Sequence, residues 1–140
     1  MTAAPPCRRP DWHPRLQGFL ATATGRPFAH GTHDCALFVA GAVEAMTGSD
    51  PGARYRGRYT TLKGGLKLVG RDGLADHVAV FARVFAEVPP ALAAAGDIAV
   101  IGEVGTPALG IFGGEAIFVL RAGGLGLMPR AAATRALQVP

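Results

Sequence analysis

The chain has 140 residues, enough for one domain, and 49% of them are apolar, which supplies one core without metal or disulfide support. Two cysteines are too few for a disulfide scaffold, and neither an apolar signal region nor a run of membrane-span length is visible. The net charge of +4 invites a nucleic-acid reading, but the arginines are scattered, with Arg54, Arg56 and Arg58 the densest set, and no basic run carries interleaved aromatics.

In chain order, residues 1–10, rich in Pro and Arg and including Cys7, read as a flexible arm. Residues 11–140 read as a single folded domain. Asp11 is placed to cap a first helix with Pro14 in its opening turn, and Trp12, Leu16, Phe19 and Leu20 share one of its faces. Gly25 and Pro27 end it. A turn-rich stretch over 28–34 enters a second helix over 35–47, apolar almost all round and therefore buried, with Gly48 as its stop. Residues 49–58 read as a polar loop bearing the three arginines. Thr60 or Thr61 starts a short helix to about Val69, and a further helix runs from Leu74 to about Ala82. Residues 84–88 suit either helix or strand, ended by Pro89 and Pro90.

The last third changes character. Short apolar runs at 97–102, 108–112, 116–120 and 126–129 are separated by turn-rich stretches at 103–107, 113–115 and 122–124. This is the pattern of an antiparallel meander, with a final edge strand at 136–139. Helices first and strands afterwards predict an α+β domain, the helices packed on one face of a C-terminal antiparallel sheet. The Gly96-Asp97 step suits a turn, with Asp bonding nearby backbone. The stretch 102–105 falls between strands, so it is not a phosphate loop.

Cys35 is the sharpest chemical signal. A thiolate at the start of a helix feels the dipole and the free amides of the first turn, which lower its pKa and favour a nucleophile. The plainer reading is a small buried core residue. Asp34 beside it is a candidate binding residue. His30 and His33 precede it in an extended, Gly- and Thr-bearing stretch. They serve either as hydrogen-bonding turn residues or as an imidazole approaching the sulfur. His77, next to Asp76 in the later helix, is a third candidate base. The spacing is not a metal signature, and no cofactor is expected.

The order of these features carries a resemblance. Phe28-Ala29-His30-Gly31 followed by His33-Asp34-Cys35-Ala36-Leu37-Phe38 resembles the nucleophile block of the NlpC-like branch of papain-fold cysteine peptidases. The Gly96-Asp97 strand entry and Ala108-Leu109-Gly110-Ile111-Phe112-Gly113-Gly114 resemble two later strands of that family. The similarity spans about residues 16–120. The chain is also similar to small proteins encoded in prophages and in gene-transfer-agent-like clusters of alphaproteobacteria. The resemblance implies a papain-like α+β fold and cleavage of peptide bonds in peptidoglycan stems. It maps the nucleophile to Cys35, the general base to Ala108 and the orienting polar residue near Phe118.

With apolar residues at both mapped positions, the leading expectation is an impaired enzyme. It would be a phage or gene-transfer-agent accessory protein that meets peptidoglycan or particle proteins. It would be made in the cytoplasm and incorporated in a phage-like particle. An active hydrolase drawing its base from His30, His33 or His77 is the second reading, and a purely structural α+β module the third. Specific nucleic-acid binding and a membrane span are not expected.

Overall fold

The computed structural model describes residues 4–102 and 107–140, so all but Pro107 of the turn expected over 103–107 lies outside the described residues. Four helices come first: α1 (Trp12–Thr24), α2 (Cys35–Thr47), α3 (Leu62–Arg71) and α4 (His77–Ala82). Six strands follow: β1 (Glu87–Val88), β2 (Ile98–Ile101), β3 (Ala108–Phe112), β4 (Ala116–Arg121), β5 (Gly124–Pro129) and β6 (Ala133–Leu137). They form one antiparallel sheet in the order β1-β6-β2-β3-β4-β5. The α+β class and the order of helices then strands are as the sequence predicts.

The central helix α2 is fixed at both ends. Asp34 caps its start by accepting from Leu37 N–H, and Gly48 closes it at φ 86, its N–H returning to Glu44 O. Between them Phe38, Val39, Ala40, Ala42, Val43 and Met46 are fully buried. Small residues set the spacing: a Cβ on Gly41 would fall 2.6 Å from the Phe19 ring, so glycine lets α1 lie close against α2. The Phe19 and Phe38 rings meet at 5.7 Å. On the other side α2 packs on β3, where Leu109 and Ile111 join the same core.

Several boundaries differ from the sequence reading. Asp11 makes no cap hydrogen bond; its carboxylate instead takes Arg15 Nε at 2.8 Å one helical turn on. The last helix begins at His77 rather than Leu74, because Asp76 caps it by accepting from Ala79 N–H. Residues 87–88 resolve as strand, since β6 lies alongside to take their backbone bonds. The final strand is not an edge. After β5 the chain turns back and pairs β6 with β2, Ile98 opposite Leu137, while Ile98 also faces Ile111 of β3. This shields β2 on both sides, and all four of its residues are buried. The sheet face away from the helices carries a second cluster, Ala99, Ile101, Phe112, Ile117, Val119 and Ala136.

The segment read as a flexible arm is fastened from Arg8 onward. Arg8 N–H donates to Pro140 O at 2.6 Å and Nε donates to Val139 O at 2.9 Å. Its guanidinium reaches Asp97 at 2.9 Å and lies over the Trp12 ring at 4.2 Å. Arg9 N–H donates to Met46 O at the end of α2. Asp97, 3% exposed, also accepts from Ala94 N–H and Val139 N–H. The local turn role expected of Asp97 is present, and a long-range role is added to it: one carboxylate ties both ends of the chain to the sheet.

Removing that carboxylate leaves Arg8 and two amides without their acceptor in a buried place. Asp97→Ala is therefore expected to lower unfolding free energy by about 3 kcal/mol, read as a reduced urea midpoint with an unchanged slope. A midpoint within error of the parent would show that the three contacts contribute nothing net.

Candidate functional site

The entry to α2 is built around a tight turn. Ala29 and His33 exchange backbone hydrogen bonds at 3.0 and 2.9 Å, which throws Gly31 to φ 88. Only glycine fits there: a Cβ would land 1.8 Å from Tyr59 O. The turn presents Gly31 N–H to Asp34 Oδ2 at 2.9 Å, while Asp34 Oδ1 takes Leu37 N–H at 2.9 Å. The Tyr59 hydroxyl donates to Oδ2 as well. Burial and this bond to a carboxylate push the Tyr59 hydroxyl far above its ordinary pKa, so it stays a donor. Asp34 is thus a structural hub, its oxygens turned to the protein's own donors.

Cys35 is the first residue of α2 and is half-buried. It sits in the wall of a cleft of about 300 Å³ between α2, α3, α4 and the ends of β3 and β4. The lining is almost wholly carbon and includes Leu62, Leu66, Val69, Phe81 and Leu120. The expected lowering of the thiol pKa is not found. Desolvation raises it above its ordinary value, and the nearby Asp34 charge adds to the rise; backbone interactions with Leu109 and with the first turn of α2 pull the other way but do not win. Position at the helix start is present, but burial in an apolar wall outweighs it.

The three candidate imidazoles separate. His33 is 2% exposed and is pinned at Ala23 O, 3.2 Å from Nε2. Burial lowers its pKa, so it is neutral, and it does not line the cleft. It joins the turn to the end of α1, the hydrogen-bonding role the sequence allowed. His30 lines the cleft with its ring edge-on to Phe28 at 4.9 Å. His77 also lines it. Its Nε2 lies 2.7 Å from Pro107 O, and since a carbonyl only accepts, Nε2 carries the proton. Among the described residues the buried Nδ1 has no hydrogen-bond partner. Among the described residues no imidazole is hydrogen-bonded to the Cys35 sulfur.

Ala108, the mapped base position, lines the cleft with a methyl group. Phe118, the mapped orienting position, does not; its ring covers Gly113, where a Cβ would be 2.3 Å away. From β4 the cleft takes Leu120 and Arg121, and the Arg121 guanidinium is turned to the Met128 sulfur. Tyr59 is the site residue that sequence reasoning missed. It lies 25 residues from Asp34 at the end of a polar loop, and no periodicity marks such a contact.

The arginine loop is largely neutralised. Arg54 makes a two-point pair with Asp72 at 2.8 Å, and Tyr55 donates to the same carboxylate at 2.7 Å. Arg56 pairs with Asp50 at 3.1 Å. No helix of the described residues is long and apolar enough to cross a membrane.

Residues 7–139 match the model of a family described as a domain of unknown function (DUF6950), and the chain belongs to that family. No curated protein matches it.

The raised thiol pKa makes a direct prediction. Both cysteines are free, and Cys7 is exposed, so it serves as an internal reference. Near neutral pH iodoacetamide should modify Cys7 well before Cys35, because the thiolate is the reacting form. The Cys35 rate should climb steeply as pH passes the ordinary thiol value of 9.0. Peptide mass mapping over time reads both sites at once; Cys35 labelling first at neutral pH would mean that the helix start does activate the thiol.

Proposed function

We propose that this DUF6950 chain is an NlpC-like papain-fold domain that keeps the thiol position and lacks the catalytic imidazole. On this reading it acts as an accessory protein of a phage or gene-transfer-agent particle, binding rather than cutting. The observation that carries the proposal is the Cys35 cleft itself: a thiol in the wall of a cavity that is also lined by Ala108, the residue the resemblance maps to the base. The succession of a thiol-bearing helix and an antiparallel sheet supports the fold assignment.

A neutral thiol needs a base to become the nucleophile, and the departing amine needs an acid. General acid–base help is worth on the order of a hundred- to ten-thousand-fold in rate. Neither role is served by Ala108 or Phe118. Peptidoglycan stems or particle proteins would be bound partners, and a protein made in the cytoplasm would reach them within the particle.

A second reading has one specific observation in its favour. His77 donates from Nε2 to the carbonyl of Pro107, the residue preceding Ala108, and among the described residues its Nδ1 has no partner, in the same cleft as Cys35. An orienting acceptor on one ring nitrogen and a free lone pair on the other is the arrangement of a general base. A closure that brought Nδ1 to the sulfur would make the domain a cysteine hydrolase. The purely structural reading has less support, since Cys35 is half-buried in an open cleft rather than sealed in the core.

Purified chain and Cys35→Ala, incubated with sacculi or synthetic stem peptides, separate these readings. The expected result is no turnover above the Cys35→Ala background. Robust cleavage by the parent that disappears in Cys35→Ala would overturn the proposal, and its further loss in His77→Ala would identify the base. Ala108→His is expected to give weak cleavage above background if the cleft retains the family's geometry.

A further inference from the structure

The cleft beside Cys35 has a chemistry of its own. Its volume, about 300 Å³, is at the small end of ligand sites. Several of its polar side chains are already engaged within the protein. Asp34 accepts from Gly31, Leu37 and Tyr59. Tyr55 donates to Asp72, and His77 is held by its Nε2 at Pro107 O, while Arg121 stands at the exposed edge of the cleft, turned to the neutral Met128 sulfur. Among the described lining residues this leaves the His30 ring, the Cys35 thiol and the unpartnered Nδ1 of His77 to meet an occupant, few polar atoms in a wall that is otherwise carbon.

A charged group drawn in among Leu66, Val69, Phe81 and Leu120 would lose its hydration with only apolar side chains beside it. A peptide would bring backbone amides and carbonyls that need partners the side chains do not offer. A hydrocarbon chain needs none. We propose that this cleft is a binding site for a neutral, unbranched alkyl or acyl chain, entering past Leu62 and lying along the Cys35 wall. Leu62 lines the cleft and is 53% exposed, an apolar residue left at the mouth where a greasy chain would pass. The proposal stands on the cleft and does not depend on the NlpC-like reading, so presence or absence of peptidase turnover leaves it untouched.

Saturated 1-alkanols of about six to about twelve carbons are the probes, a range matched to a small pocket. The readout is the rate at which N-ethylmaleimide modifies Cys35 at alkaline pH, with exposed Cys7 as the reference in the same sample. Cys35 should be protected and Cys7 not. The half-protecting concentration should fall roughly three- to fourfold for each added CH2, then level off once the cleft is full. Calorimetry with the same series measures the affinity independently of labelling.

Leu62→Asp, at an exposed helix-start position that tolerates a carboxylate, should weaken binding at least tenfold with an unchanged circular dichroism spectrum. Ala108→Phe should abolish it by filling the cleft; if that variant fails to fold, Leu62→Asp alone decides. Protection that is independent of chain length, or shared equally by Cys7, overturns the proposal. So does tighter binding of the matching alkyl carboxylate or ammonium than of the alcohol, or of an apolar tetrapeptide than of any alkanol.

Discussion

The Asp34 carboxylate accepts from Gly31 N–H, from Leu37 N–H and from the Tyr59 hydroxyl, and the geometry around Cys35 depends on these bonds. One oxygen starts α2 by satisfying an amide that the helix leaves open. The other holds the Gly31 turn on one side and the end of the arginine loop on the other. Side-chain caps of this kind contribute on the order of 1 kcal/mol. Here the cap also sets where the helix begins, and so where the first side chain, Cys35, is directed. The positive φ of Gly31 follows from the same constraint, because Tyr59 O occupies the space a Cβ would need.

Two forces then compete at the sulfur. The open amides of a helix start favour a thiolate, while an apolar wall and a neighbouring carboxylate favour the thiol. Burial decides the outcome, because α2 is apolar nearly all round and is sunk between α1 and the sheet, with its first residue half-buried in a carbon-lined cleft. The same burial that makes α2 a stable central helix favours the thiol form of its first residue. His77 lines the same cleft with its Nε2 held at Pro107 O and, among the described residues, no partner on its Nδ1.

Far from this cleft, Asp97 performs the corresponding service for the chain ends. Through Arg8 and Val139 it joins the segment before α1 to the segment after β6. β6, inserted between β1 and β2, removes an edge that β2 would otherwise present. β2 is thereby paired on both sides, and it hydrogen-bonds β3, the strand that carries Ala108 into the cleft.

The sequence by itself determined the α+β class, the bounds of α2 at Cys35 and Thr47, the helix-before-strand order and the position of β3. Each is written in local signals: an Asp cap, a Gly stop, an unbroken apolar helix and short runs divided by glycine. It also singled out Cys35, His30 and His77, which share the cleft. Tertiary structure alone decided that His33 is a turn anchor, that Asp11 pairs with Arg15, that β6 is interior and that Arg8 is fastened. It alone brought Tyr59 to Asp34 and set the thiol's ionisation. These depend on contacts between residues far apart in the chain, on which surfaces become dry and on which donors arrive at a carboxylate. No local pattern encodes them, because burial and long-range pairing exist only once the chain has closed on itself.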